Sequence, residues 1–250
     1  MISERTFARS FESFWRELLP FLTPHFISLF NEAYGQELEC PQWSSIAPPS
    51  TLPISSHADI VAELAYQLAR RAHLSKMGLD EILAKGALAS AEADALALIE
   101  KYQRRKVAVS LEPGEQEEAI VLCERYQALY SAFPPGTAVE FTPQIRGAGF
   151  VDSCEGDIAI SNCLVEVKTT NRKPSSKDLR QVFIYIALDL NAGNDRWTEF
   201  AIFNPRRCTL HRAAIEPLTF RLSGGRPLID VVSDLISFVE SNEIIANDQF

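Results

Sequence analysis

Gly156-Asp-Ile-Ala-Ile-Ser-Asn-Cys-Leu-Val-Glu-Val-Lys-Thr-Thr170 is the stretch whose reading decides the fold. Apolar residues alternate along both arms, and a polar pair, Ser161-Asn162, separates them. The stretch therefore predicts two short antiparallel strands around a tight turn. With Ser161 and Asn162 as the loop, Cys163 faces Ile160, Leu164 faces Ala159, Val165 faces Ile158 and Glu166 faces Asp157. Directly opposed residues have Cβ atoms about 4.5–5.5 Å apart. Lys168 follows Glu166 by two and points to the same face. Two carboxylates about 5 Å apart repel by roughly 3 kcal/mol at an effective dielectric of about 20, so the pairing is costly without a cation. Mg²⁺ takes hard oxygen ligands, often only one or two of them protein carboxylates, and would turn this spacing into a site. The bland alternative is a solvent-facing strand whose Glu166 and Lys168 pair in water to little effect.

Moving outward, Ala138–Thr142 reads as a strand that leads through Pro143–Gly149 into the hairpin. Upstream, Pro113-Gly114 opens a helix over Glu115–Tyr130 with acids in its first turn, and Pro134-Pro135-Gly136 ends it. Downstream, Lys173-Pro174-Ser175-Ser176 is a helix entry. Leu179, Val182, Phe183, Ile186 and Leu190 form that helix's apolar stripe. Trp197–Phe203 reads as the final central strand, ending at Asn204-Pro205-Arg206-Arg207, and Ile229–Ile245 as a closing amphipathic helix. The core order is helix, three strands, helix, strand.

The first 110 residues read as an all-helical region. Phe7, Phe11, Phe14, Leu18 and Phe21 recur at helical spacing, and Thr23-Pro24 opens a second helix. Cys40–Pro53 holds four prolines and reads as an extended connector. A helix runs from Ala58 to near Gly78, and another from Asp80 to about Arg105. Glu63 and His73 have no partner at ligand spacing and read as structural. Arg70-Arg71 and Arg104-Arg105-Lys106 read as solvated helix ends. The expected division is 1–110 as a helical domain and 111–250 as the domain carrying the hairpin.

Two motifs in this order resemble a known superfamily. Asp157 followed by Glu166-Val167-Lys168 resembles the Asp…Glu-x-Lys signature of the PD-(D/E)XK nucleases. Gln181-x-x-x-Tyr185 on the following helix is similar to the Gln-x-x-x-Tyr motif of their RecB-like branch. The resemblance covers roughly Gly114–Leu210. It implies an α/β fold with a restriction-endonuclease-like core, α-β-β-β-α-β, in which helices flank a mixed sheet. It further implies a Mg²⁺- or Mn²⁺-dependent deoxyribonuclease, with Asp157, Glu166 and the carbonyl of Val167 on the metal and Lys168 at the attacking water or the phosphorane. Gln181 and Tyr185 would lie beside the site. The family often adds an acid from the helix before the first strand, for which Glu118 is the candidate and Glu124 and Glu115 are alternatives. Arg172, Lys173 and Arg180 fit phosphate contacts, and Arg206 and Arg207 would extend that track. The residues before the first metal acid, Glu155-Gly156, depart from the usual Pro-Asp. DNA is the implied partner, with a separate helicase or ATPase subunit, or a second copy, as further candidates, and defence against phage or DNA repair and recombination as the setting. The alternative is a catalytically inactive subunit that binds nucleic acid or a partner.

Composition bounds these expectations. The chain has 250 residues, 46% hydrophobic and 23% charged, within the range of globular domains. No apolar run is long enough for a membrane span, and Met1-Ile-Ser-Glu-Arg5 does not read as a signal peptide, so a cytoplasmic location is expected. Five scattered cysteines without Cys-x-x-Cys spacing argue against zinc or iron–sulfur and read as reduced thiols. Net charge is −9, yet Phe141–Arg226 holds twelve Lys and Arg against nine Asp and Glu. A basic lobe on an acidic chain suits a partner that binds one face.

Overall fold

The computed structural model describes residues 1–40, 55–103 and 109–241. The proline-rich connector, the Arg104–Lys106 cluster and the far end of the closing helix lie outside them. The fold is mixed α/β: a six-stranded sheet in the order β1-β8-β7-β6-β5-β2, with helices on both faces. Its strands are β1 (Gly35–Glu37), β2 (Val139–Phe141), β5 (Ile158–Ile160), β6 (Cys163–Val167), β7 (Glu199–Asn204) and β8 (Thr209–Ala214). A small ladder pairs β3 (Gln144–Ile145) with β4 (Cys154–Glu155).

The hairpin forms in the expected register, with Ile158 opposite Val165, Ala159 opposite Leu164 and Ile160 opposite Cys163. Ser161 turns the chain with a φ of 54°. β6 then runs parallel to β7, with Glu166 beside Ile202. A parallel pair needs a long crossover, and helix α8 (Ser176–Asn191) provides it. Antiparallel β8 was not expected from the sequence, nor was β1, which joins the sheet by pairing with β8. Their short runs mix polar and apolar residues, and their identity as strands comes from the neighbours they meet.

Strand alternation divides the apolar residues between two cores. Ala159, Leu164, Phe200 and Ile202 face one side, packed with residues of α1 (Glu4–Arg9), α2 (Glu12–Leu18), α3 (Pro24–Ala33), α8, α9 (Ile215–Leu222) and α10 (Leu228–Ser241). Ile158, Ile160, Cys163, Val165, Ala201 and Phe203 face the other, with α4 (Ala58–Ser75), α5 (Leu79–Ala84), α6 (Ala87–Gln103) and α7 (Pro113–Ser131). Residues from before and after position 110 share both cores and the sheet, so the expected boundary does not separate two structural units. The first 110 residues are also not purely helical, because β1 lies among them.

Several local expectations resolve differently. The Phe-rich first helix is two, broken at Phe11, whose φ is 56°. The Asp80–Arg105 helix divides into α5 and α6 at Gly86, with a φ of 78°. Helix α3 begins where expected, with Pro24 in its first turn, and Thr23 caps it, its hydroxyl accepting the Phe26 N–H at 3.2 Å. A capping box between Glu112 and Glu115 opens α7. The cysteines were expected to be reduced, but Cys40 and Cys208 are joined in a disulfide that ties the β1 edge to the β7–β8 turn. They are 168 residues apart in sequence and reach bonding distance only because β1 lies along β8.

Helix α8 departs most from a one-sided stripe. Every residue from Asp178 to Asp189 is buried, while Leu190 is only partly so. The sheet covers one side, and α1 and α10 cover others. Helix α1 is held there from its N-terminal side: the Ile2 N–H donates to the Phe150 carbonyl at 2.8 Å, and the Ile2 carbonyl accepts from Asp152 at 3.0 Å. Gly149, just before, has a φ of 51°, and a Cβ there would stand 2.1 Å from the Val239 carbonyl oxygen. A left-handed backbone alone costs a side chain about 1–2 kcal/mol, and the contact adds to it. Gly149→Ala is therefore expected to lower unfolding free energy by at least about 1–2 kcal/mol, read as a reduced midpoint in urea; an unchanged midpoint would refute this account of the loop.

Candidate active site

Continuing the hairpin register by one pair sets Asp157 opposite Glu166, on the face of the sheet that α1 and α8 cover. The sequence builds this from a two-residue periodicity. The backbone of Asp157 is pinned on two sides: its carbonyl accepts from the Thr142 N–H at 2.9 Å and from the Tyr66 hydroxyl at 2.7 Å. Its carboxylate Oδ2 accepts from the Val167 N–H at 2.6 Å. Val167, expected to offer its carbonyl to a metal, thus also orients the first acid.

Glu166 is 1% exposed. Its Oε1 accepts from Lys168 Nζ at 2.6 Å, while its Oε2 is buried with no hydrogen-bond partner. An orphaned carboxylate oxygen in a protein interior is costly. Burial first, and then the charge of Glu166, push the Asp157 carboxyl up to about 8; Lys168, the Val167 N–H and Arg5 pull the other way without overcoming them. The pair is thus short of positive charge.

Lys168 is shared. Its Nζ donates to Glu166 Oε1 and, at 2.7 Å, to Gln181 Oε1. Gln181 Nε2 donates to the Tyr185 oxygen at 2.8 Å and to Glu4 Oε1 at 3.2 Å, and the Tyr185 hydroxyl donates to Glu4 Oε1 at 3.3 Å. The structure brings together five sequence-selected residues: Asp157, Glu166, Lys168, Gln181 and Tyr185. The last two are one helical turn apart on one face of α8.

Glu118 is elsewhere. It is buried against the guanidinium of Arg206, which is 1% exposed, while Arg125 donates to the Pro205 and Arg206 carbonyls at 2.8 and 2.7 Å. The alternatives on the same helix are also occupied away from the hairpin: Glu115 caps α7 and meets His57 Nδ1 at 3.0 Å, and burial followed by Asp80 raises the Glu124 carboxyl.

The expected phosphate contacts divide in the same way. Arg180 is buried and forked onto Glu12, its Nη1 and Nη2 at 2.8 and 2.9 Å from the two carboxylate oxygens. Arg206 is buried with Glu118. Both corrections have one cause: the face of α8 and the β7–β8 turn that carry them are covered by other elements. Arg172 is exposed but pairs with Asp178, which also accepts from the Ser175 N–H and hydroxyl at 2.8 Å each. Lys173 is exposed, and Arg207, partly exposed, donates to the Asn171 carbonyl at 3.0 Å.

Three residues at the site were missed. Glu4 joins the α8 network directly. Arg5, with a side chain 61% exposed, lies 3.6 Å from Glu4 Oε1. Partial burial works against its charge, but Glu166, Asp157, Tyr185 and Glu4 outweigh that and raise its pKa. Glu63 of α4 accepts from Gln67 Nε2 at 2.7 Å. Burial pushes its carboxyl up, and Gln67 and then Arg5 pull it down. No spacing rule marks these residues, because they come from helices far from the hairpin in sequence.

Among the described residues, no three His, Cys, Asp or Glu side chains converge closely enough to hold an ion by themselves. A divalent cation bound through two carboxylates and water is nevertheless compatible with what is present: two adjacent acids, one with an unpartnered buried oxygen.

The raised Asp157 carboxyl has a signed consequence. Its contribution to stability is complete below the ordinary carboxylate value of about 3.9 and is lost as pH rises through the folded value near 8. Asp157→Asn keeps an oxygen for the Val167 N–H. In EDTA, the variant should melt with wild type near pH 4 and progressively above it toward pH 8, as followed by thermal denaturation. A constant offset across that range would contradict the assignment.

Comparison of the chain with protein-family models, with curated proteins and with solved structures finds no match.

Proposed function

We propose that the chain is a metal-dependent nuclease that hydrolyses DNA phosphodiester bonds on a restriction-endonuclease-like core. The observation that carries the reading is the Glu166 carboxylate, one oxygen held by Lys168 and the other buried without a partner beside Asp157. The arrangement β2-β5-β6, then α8, then β7 parallel to β6 supports the core assignment. Asp157 and Glu166 would hold Mg²⁺ or Mn²⁺. Such an ion supplies a hydroxide-like nucleophile at neutral pH and polarises the phosphoryl oxygen.

The chain's own residues do the rest. Lys168, held between Glu166 and Gln181, carries positive charge where the phosphorane would develop negative charge, an electrostatic contribution that needs no rearrangement during reaction. Glu63 would be the acid offered from a helix in place of Glu118, suggested by the pull of Arg5's charge on its carboxyl. Arg172, Lys173 and Arg207, the accessible members of the expected basic track, would position the phosphate backbone without reading sequence. The setting in defence, repair or recombination, with or without a helicase or ATPase subunit or a second copy, comes from the resemblance alone. Among the described residues, no helix is long and apolar enough to cross a membrane.

One observation favours a second reading, a binding subunit without activity: no three potential ligands converge among the described residues. Cleavage of linear, circular and single-stranded DNA separates the two. The nuclease reading expects cleavage with Mg²⁺ or Mn²⁺, its loss in EDTA, and a rate lower by about 100–1,000-fold in Lys168→Ala. DNA binding without cleavage under any metal condition would move the function to the second reading.

A further inference from the structure

The hydrogen bonds behind Lys168 run in one direction and end on a residue that neither motif contains. An ammonium only donates, so Gln181 Oε1 must face Lys168 and Gln181 Nε2 must point away from it. That nitrogen donates to the Tyr185 oxygen and to Glu4 Oε1. With its oxygen accepting, the Tyr185 hydroxyl sends its own proton to Glu4 Oε1. The order is Lys168, Gln181, Tyr185, Glu4. Each donor polarises the next in the same sense, with a cation at one end and a carboxylate at the other.

We infer that Glu4 is a positioning residue for Lys168, acting through Tyr185 and Gln181. Gln181 and Tyr185 are 3% and 1% exposed. Without Glu4, two donors that converge on one oxygen would lose it where water has little access, and a buried donor left unpaired is costly. The amide and the ring would re-orient to find other acceptors, and Lys168 would lose its second anchor. Glu166 would then hold Lys168 alone. The placement of Glu4 is itself secured: Ile2 is bridged to the Phe150–Val151 segment, Ser3 caps α1 by accepting the Thr6 N–H, and Phe7 and Ala8 are buried one turn on.

The kinetic part of this inference rests on the nuclease reading; the structural part does not. The experiment compares wild type with Glu4→Ala, Glu4→Gln and Tyr185→Phe, using two readouts. The first is Mg²⁺-dependent DNA cleavage, resolved into kcat and KM. The second is the ¹⁵Nζ resonance of Lys168 in lysine-labelled protein, assigned by its disappearance in Lys168→Arg.

Glu4→Ala should displace the resonance and lower kcat by about 10–100-fold, the usual effect of removing a partner one layer behind a metal site. KM should change little, because the lost interaction acts on the reacting group. Glu4→Gln retains an oxygen acceptor and should recover most of both. Tyr185→Phe removes the hydroxyl link while preserving ring volume and leaving the direct Gln181–Glu4 bond, so it should displace the resonance less than Glu4→Ala does. An unmoved Lys168 resonance in folded Glu4→Ala overturns the proposal. Equal losses in Glu4→Ala and Glu4→Gln, tracking a common fall in Tm, overturn it too. A displaced resonance in Glu4→Ala, together with no DNA cleavage by the wild type, would sink the nuclease reading and leave the positioning role standing.

Discussion

A polar side chain taken out of water must find a partner, and this requirement shapes the centre of the molecule. Helix α8 is buried on all sides from Asp178 to Asp189, yet carries Asp178, Arg180, Gln181, Tyr185 and Asp189 in that span. Each is answered by a different segment: Arg172 for Asp178, Glu12 for Arg180, Lys168 and Glu4 for Gln181 and Tyr185, Arg196 for Asp189. The partners come from both ends of the fold. The packing of α1 and α2 against α8 is therefore as much a matter of satisfying its polar groups as of burying Phe7 and Trp15.

Around the hairpin the balance is deliberately uneven. Asp157, Glu166, Glu4 and Glu63 bring acid to one end of the sheet, and Lys168 and Arg5 bring base. Lys168 is shared between an acid and an amide, and Arg5 is largely exposed. Burial and the mutual repulsion of Asp157 and Glu166 outweigh the cations where Asp157 is concerned. A structural ion pair would be expected to close such a deficit.

Much of this was legible in the sequence, and for a clear reason. The hairpin register follows from alternation and one polar turn, so the facing of Asp157 and Glu166 could be read directly. The pairing of Gln181 with Tyr185 follows from helical spacing. What failed depended on contacts between distant segments. Glu118 sits on a helix of the right kind but turns to Arg206, because the β7–β8 turn buries a guanidinium there. Arg180 resembles a surface cation until α2 is laid over it. Glu63 looks inert because its neighbours at the site are not its neighbours in sequence. The Cys40–Cys208 pair was likewise invisible without the edge strand that aligns it.

The sequence distance spanned by the α1–α8 contact bears on how the chain is made. Glu4 and Tyr185 are 181 residues apart. During synthesis, the aromatic faces of α1 and α2 exist long before the helix they cover, while the sheet between the two cores is still incomplete. Contacts of such separation must overcome a large loop-closure entropy before they contribute, which slows folding. Phe7, Phe11, Phe14 and Trp15 are within one another's reach in this interval, and in the fold Phe7 lies 5.5, 5.8 and 5.2 Å, centroid to centroid, from the other three. The aromatic run at the start of the chain can thus serve as a local cluster that shelters its own surface until the sheet arrives. The end of the molecule that joins Glu4 to Lys168 needs the first helix and the hairpin at once.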